Sequence, residues 1–171
     1  MPHVVYPSSR VEAERTIAIA RIVLAATALL ALWLDPIEPP VYADLTYRLQ
    51  SVYLLYSVAV LAWTFVDVGE WQPLGTHAVD VLAFSIFQYL TLGPSSPFFV
   101  YFVFSMFCGA VRWDWRGSLA TGIFVVAFYV AMAGSINGAL PVPRLEVNRF
   151  VVRLAYLAVA TGMLVYMGRY E

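Results

Sequence analysis

The sequence predicts an all-α fold: an integral membrane bundle of six transmembrane helices, N-in and C-in. Three observations predict it. Of the 171 residues, 61% are hydrophobic and only 12% charged, where a soluble domain carries charge at about a quarter of its positions. The mean hydropathy is +0.75, and at ~20 residues per crossing the length suits about six passes. The apolar residues also fall into six continuous runs separated by proline, glycine and charge. Continuous runs favour helices over the alternating strands of a barrel, the other fold that satisfies its backbone in lipid.

The first run, Thr16 to Leu34, is interrupted by Arg21 and closed by Asp35-Pro36 and Pro39-Pro40, where proline prevents the helix from continuing. A second run, about Arg48 to Val66, ends at Asp67, Gly69, Glu70 and Pro73. That connector makes its neighbours antiparallel. The third, His77 to Leu92, is stopped by Gly93-Pro94-Ser95-Ser96-Pro97, and the fourth, Phe98 to about Val111, is short for a crossing. Arg112-Trp113-Asp114-Trp115-Arg116-Gly117 then supplies charge and amphipathic rings suited to headgroup level. The fifth run, about Ser118 to Ile136, is broken by Asn137-Gly138 and Pro141-Val142-Pro143, and the sixth covers about Asn148 to Met167.

These boundaries divide the chain into a cytoplasmic tail (1–15), a six-helix transmembrane domain (16–167) and the start of a cytoplasmic linker (168–171). No cleavable leader is expected, because no convincing small-residue cleavage site follows the first run. Tyr170-Glu171 carries no helix stop, and the expectation is that further sequence follows. Orientation comes from arginine placement: Arg10, Arg15, Arg21, Arg112, Arg116 and Arg169 fall on one side, against Arg48, Arg144, Arg149 and Arg153 on the other. The larger group marks the cytoplasmic side.

Composition removes several function classes. There is no lysine and the net charge is −1, so neither a nucleic-acid partner nor a polybasic lipid-binding patch is indicated. Cys108 is the single cysteine, which excludes an intrachain disulfide. His3 and His77 are the only histidines. First-row metals usually take three or four protein ligands, so no metal site is expected. No base accompanies Ser85, Ser105 or Cys108 in a recognisable motif, and no catalytic residue is assigned.

Ionisable groups inside apolar runs are costly and ask for a reason. Arg21 and Asp80 sit at similar depth, where they either pair or separately reach the interface. His77, Asp80, Phe84, Gln88 and Thr91 are spaced three, four, four and three, which gathers them on one face of the third helix. This stripe either makes interhelical hydrogen bonds or lines a ligand. Arg149, Arg153, Tyr156, Ala160 and Met163 share a face of the sixth helix, as a snorkelling entry or an anion contact. Ala127, Ala131 and Ser135, and separately Ala158 and Gly162, recur at four-residue spacing that permits close helix approach.

Arg15-x5-Arg21-Ile-Val-Leu-Ala with Leu32-Trp-Leu-Asp-Pro36 resembles the first transmembrane helix of multi-pass bacterial sensor histidine kinases. His77-Ala-Val-Asp80, Tyr89-Leu-Thr-Leu-Gly-Pro-Ser-Ser-Pro-Phe-Phe-Val-Tyr-Phe102 and Arg112-Trp-Asp-Trp-Arg-Gly117 resemble their third-to-fifth helix region. The turn is similar to the Gly-Gly-x-x-Asn-Pro-Phe motif implicated in ubiquinone sensing by redox-responsive kinases, with Leu92 in place of the first glycine and Ser96 in place of asparagine. The resemblance implies a multi-pass module of the bacterial inner membrane, a homodimer. It would relay a lipid-phase or redox signal through its sixth helix to a cytosolic kinase domain and thence a response regulator. Catalysis would lie outside this segment. The residues implied at a ligand, a quinone being one candidate, are Gly93, Ser96, Pro97 and Phe98. From their chemistry Gln88, Thr91, Phe99 and Tyr101 join them, because hydroxyl donors beside aromatic faces suit a ring flanked by two carbonyls. The alternatives are the membrane anchor of a nucleotide or diguanylate cyclase, and a small transporter or subunit of a membrane complex.

Overall fold

The computed structural model describes residues 7–34, 42–66, 68–91, 96–139 and 147–170. They form five α-helices: α1 (Pro7–Leu34), α2 (Ala43–Trp63), α3 (Gln72–Leu90), α4 (Val100–Ala139) and α5 (Val147–Tyr170), with a 3-10 turn at Pro97–Phe99 leading into α4. The all-α class is as expected; the count is not. Three segments, Arg10–Leu34, Val100–Gly134 and Asn148–Tyr170, are long and apolar enough to cross a membrane. The expectation of six transmembrane helices is therefore corrected.

The physical reason lies in α2 and α3. Arg48 and Gln50 in the one, and His77, Asp80 and Gln88 in the other, lower the apolarity of helices 21 and 19 residues long. Of these, Gln50, His77, Asp80 and Gln88 are buried against neighbouring helices. On α2 the buried set Thr46, Gln50, Tyr53, Ser57 and Val60 is spaced four, three, four and three, which is one helical face.

The fourth and fifth runs are two helical arms of one 40-residue stretch, joined across a kink. Straight, it would be about 60 Å long, twice the ~30 Å hydrocarbon thickness. It is not straight. Trp113 (φ −136°, ψ 24°) and Asp114 (φ 55°, ψ −147°) leave helical geometry, and the chain folds back on itself. Gly109 and Gly117 meet there: a Cβ added to Gly117 would lie 2.3 Å from the Gly109 carbonyl oxygen. Along a continuous helix eight residues span about 12 Å. The headgroup-level loop expected at 112–117 is thus a tight reversal.

Other boundaries move outward. α1 starts at Pro7, so residues 7–15 are helical rather than tail. Arg10 donates to the Glu70 carbonyl (3.3 Å) and Arg15 to that of Thr64 (3.4 Å), which fastens this extension to the bundle. α4 runs through Asn137-Gly138 to Ala139. The prolines at 36, 39 and 40 and at 141 and 143 lie outside the described residues.

The core is aromatic. Phe84 stacks on Tyr101 (4.3 Å, 9°), Phe98 stacks on the other side of Tyr101 (5.7 Å, 14°), and Tyr53 meets Phe84 and Phe87 edge-on. The exterior is apolar, with Leu55, Leu82, Ile123, Val159 and Met163 exposed. Trp33, Trp63 and Trp71 are exposed at helix ends, the placement of a membrane-interface belt. Close helix approach is made at Gly122, whose added Cβ would meet Thr161 at 2.4 Å. The small-residue repeats do not supply it within the chain: Ala127, Ala131, Ala158 and Gly162 face outward.

Candidate functional site

α1 supplies two charges on one face. Glu14 and Arg21 are seven residues apart, 20° short of two full turns and about 10 Å along the axis. Each finds an opposite charge. Arg21 Nη2 donates to Asp80 Oδ2 at 2.6 Å with both side chains 1% exposed, and Tyr53 Oη donates to Asp80 Oδ1 at 2.8 Å. One carboxylate thereby joins α1, α2 and α3. The paired reading of Arg21 and Asp80 is the geometry observed. Isolated charges in so apolar an interior would each cost several kcal/mol.

Arg112, at the end of the first arm of α4, approaches Glu14 side-on. Its Nε and Nη2 donate to Oε1 (2.8 Å) and Oε2 (2.7 Å), and Nη2 also donates to Thr76 Oγ1 (3.0 Å). This bidentate fork is the strongest common form of ion pair. Next to it, His77 Nε2 hydrogen-bonds Thr121 Oγ1 at 2.9 Å, and its ring meets Trp113 edge-on at 5.2 Å. Two atoms in this cluster, Arg112 Nη1 and His77 Nδ1, are buried without a hydrogen-bond partner. His77, Arg112, Trp113, Asp114, Arg116 and Thr121 are among the residues lining a groove of about 770 Å³ at the α4 reversal.

At the opposite end of the bundle the turn closes on itself. Ser96 is fully buried; its hydroxyl is hydrogen-bonded to Thr91 and accepts from the Phe98 amide at 3.1 Å. Gln50 donates to the Tyr101 hydroxyl and to the Ala25 carbonyl (3.3 Å). Phe98 and Tyr101 fill the core, Phe99 is half-buried, and Gln88 is buried. Gly93 lies outside the described residues, as do Leu92, Pro94 and Ser95. Thr91, Ser96, Phe98 and Tyr101 are thus brought together, but packed on one another rather than around the groove, which lies at the other end.

Arg153 of α5 ties this turn to the last helix. Its Nη1 donates to the Ser96 carbonyl at 2.6 Å, and its guanidinium lies 5.5 Å from the Phe99 ring centre. Comparison with protein-family models, with curated proteins and with solved structures finds no match.

The stripe of α3 faces inward throughout: His77, Asp80, Phe84, Gln88 and Thr91 are all buried. Its hydrogen bonds reach α1, α2, α4 and the turn. Sequence reasoning missed Glu14, Gln50, Tyr53, Arg112, Trp113 and Thr121. The signal for Glu14 was its seven-residue offset from Arg21; for Gln50 and Tyr53 it was the heptad-like polar stripe of α2. Cys108 is buried and free, and the described residues hold no cluster of three metal-binding side chains.

Proposed function

We propose that this chain is a membrane-embedded sensory module whose last helix carries its state to an output unit, a histidine kinase of two-component signalling, in a homodimer of the bacterial inner membrane. The observation that carries the reading is the Arg153 contact. A side chain on α5 holds the backbone of the turn between α3 and α4, so a displacement of the turn changes a charge-assisted bond to the final helix. α5 packs chiefly on α4 and leaves Val152, Tyr156, Val159 and Met163 outward, which suits a helix that moves and meets a second copy.

The mechanism is a signal with unequal affinity for two arrangements of the turn, which shifts the population of α5 positions by that difference. The hydroxyls and rings at the turn are engaged with one another, which favours a lipid-phase condition acting on the packed turn over a quinone held between them. Here α5 is fused in register to a reporter histidine kinase, and autophosphorylation is followed as membrane redox state and lipid composition are varied. A responsive fusion silenced by Arg153→Met, with the bundle still folded, is the expected result. A fusion that responds equally with and without Arg153 sinks the relay.

A further inference from the structure

The groove at the α4 reversal lies at the other end of the bundle from the Arg153 contact, and the end of α5 reaches its lining residue Trp115. The groove is built where a ligand would be expected at a membrane surface. Arg112 is anchored by Glu14 along the side-on edge of its guanidinium, which fixes the remaining Nη1. That nitrogen is buried and unbonded on a side chain only 3% exposed. Buried donors are almost always satisfied. His77, 9% exposed, presents a second unbonded nitrogen, Nδ1, while its other nitrogen is held by Thr121. Both residues line the groove, and Arg116 lines it from the exposed side of the reversal.

The lining charges decide the ligand class. Arg112 and Arg116 line the groove with Asp114, Glu14 is paired to the far edge of Arg112, and Arg169 lies 4.8 Å from the ring of the lining Trp115, so three cations stand against two carboxylates. The donors come from α3 and from both sides of the α4 reversal, hence from different directions. A tetrahedral group with several acceptor oxygens meets such a set, where a planar carbonyl accepts from one or two. Trp113 and Trp115 also line the groove, and such rings sit at headgroup level.

We propose that this groove binds a phosphate group, with Arg112 and Arg116 as its cationic donors and His77 as a neighbouring hydrogen-bond partner. The phosphate comes from the headgroup of an anionic phospholipid or from a soluble phosphate. The relay through Arg153 stands or falls separately.

The full chain in detergent micelles is mixed with phosphatidylglycerol or with diacylglycerol, which lacks the phosphate, and bound lipid is counted by native mass spectrometry. A parallel arm titrates inorganic phosphate and follows thermal unfolding. Phosphatidylglycerol should be retained about tenfold over diacylglycerol, and Arg116→Gln should remove about that factor. Arg48→Gln, at an exposed pair on α2, should leave retention unchanged, and Arg116→Lys should restore part of it. Stabilisation by inorganic phosphate that depends on Arg116, without lipid preference, assigns the site to a soluble phosphate. Equal retention of the two lipids with no phosphate effect, or equal loss in Arg116→Gln and Arg48→Gln, overturns the proposal.

Discussion

Arg21 and Asp80, fifty-nine residues apart in the chain, meet at 2.6 Å in the interior of the bundle, and Tyr53 closes the same carboxylate from a third helix. Around this contact α1, α2 and α3 are held in register. Its removal separates two energies, the loss of an attraction and the abandonment of a charge in an apolar interior.

Replacing one partner leaves the other charge buried. Arg21→Met and Asp80→Leu should each lower stability by about 3–5 kcal/mol. Arg21→Met with Asp80→Leu removes both charges and should recover most of the loss, because apolar replacement of a whole buried pair is often neutral. Denaturant unfolding in micelles measures the cycle. Additive losses in the double variant would show that the pair does not couple these helices.

The reversal of α4 rests on glycine. At Gly117 an added methyl would strike the Gly109 backbone at 2.3 Å, and backbone cannot rotate away. Gly117→Ala should therefore cost about 1–3 kcal/mol or more. Gly162 has open space around its Cβ direction, so Gly162→Ala should gain about 0.5–1 kcal/mol from helix propensity. Thermal melts of the two variants moving in the same direction would contradict this assignment.

Asp114 has φ 55° and ψ −147°, a conformation that favours glycine and costs other residues about 1–3 kcal/mol. Its side chain is exposed. Asp114→Gly should raise stability by about 1 kcal/mol after the glycine's own entropy cost. Asp114→Ala keeps the strain and should gain nothing. Circular dichroism melts distinguish the two, and a stabilised alanine variant would place the effect in the lost charge rather than the backbone.

Arg153 donates a charged hydrogen bond to the Ser96 carbonyl, a class worth about 1.5–3 kcal/mol. Arg153→Met keeps the apolar stem and removes the donor. Hydrogen exchange should then rise at the start of α4 and in the first turns of α5, with the Arg112 region unchanged. Uniform loss of protection across all helices would make Arg153 a general packing residue instead.

Much of the site was legible in the residues themselves. The α3 stripe from His77 to Thr91 announced a face that lipid would not tolerate, and the matched depth of Arg21 and Asp80 left a pair as one of two readings, the one observed. Glu14 was harder to see because it precedes the apolar run, and a charge at such a boundary is ordinarily solvated. Only the return of α4 brings Arg112 to it. The small-residue repeats pack on no helix of this chain for a related reason: Ala127 and Gly162 have the spacing for close approach but face outward, and spacing does not say which face a helix turns inward.

Length, continuous apolar runs and their proline and glycine boundaries were enough to determine an all-α membrane protein, because local hydrophobicity and backbone chemistry act over a few residues. The tertiary structure decided the rest. It folded the fourth and fifth runs against each other through the strained reversal at Trp113 and Asp114, turned the polar faces of α2 and α3 inward, and set Arg153 on Ser96 and Arg112 on Glu14. Those contacts join residues 57 and 98 positions apart. At such separations only the packing of whole helices fixes which side chains meet.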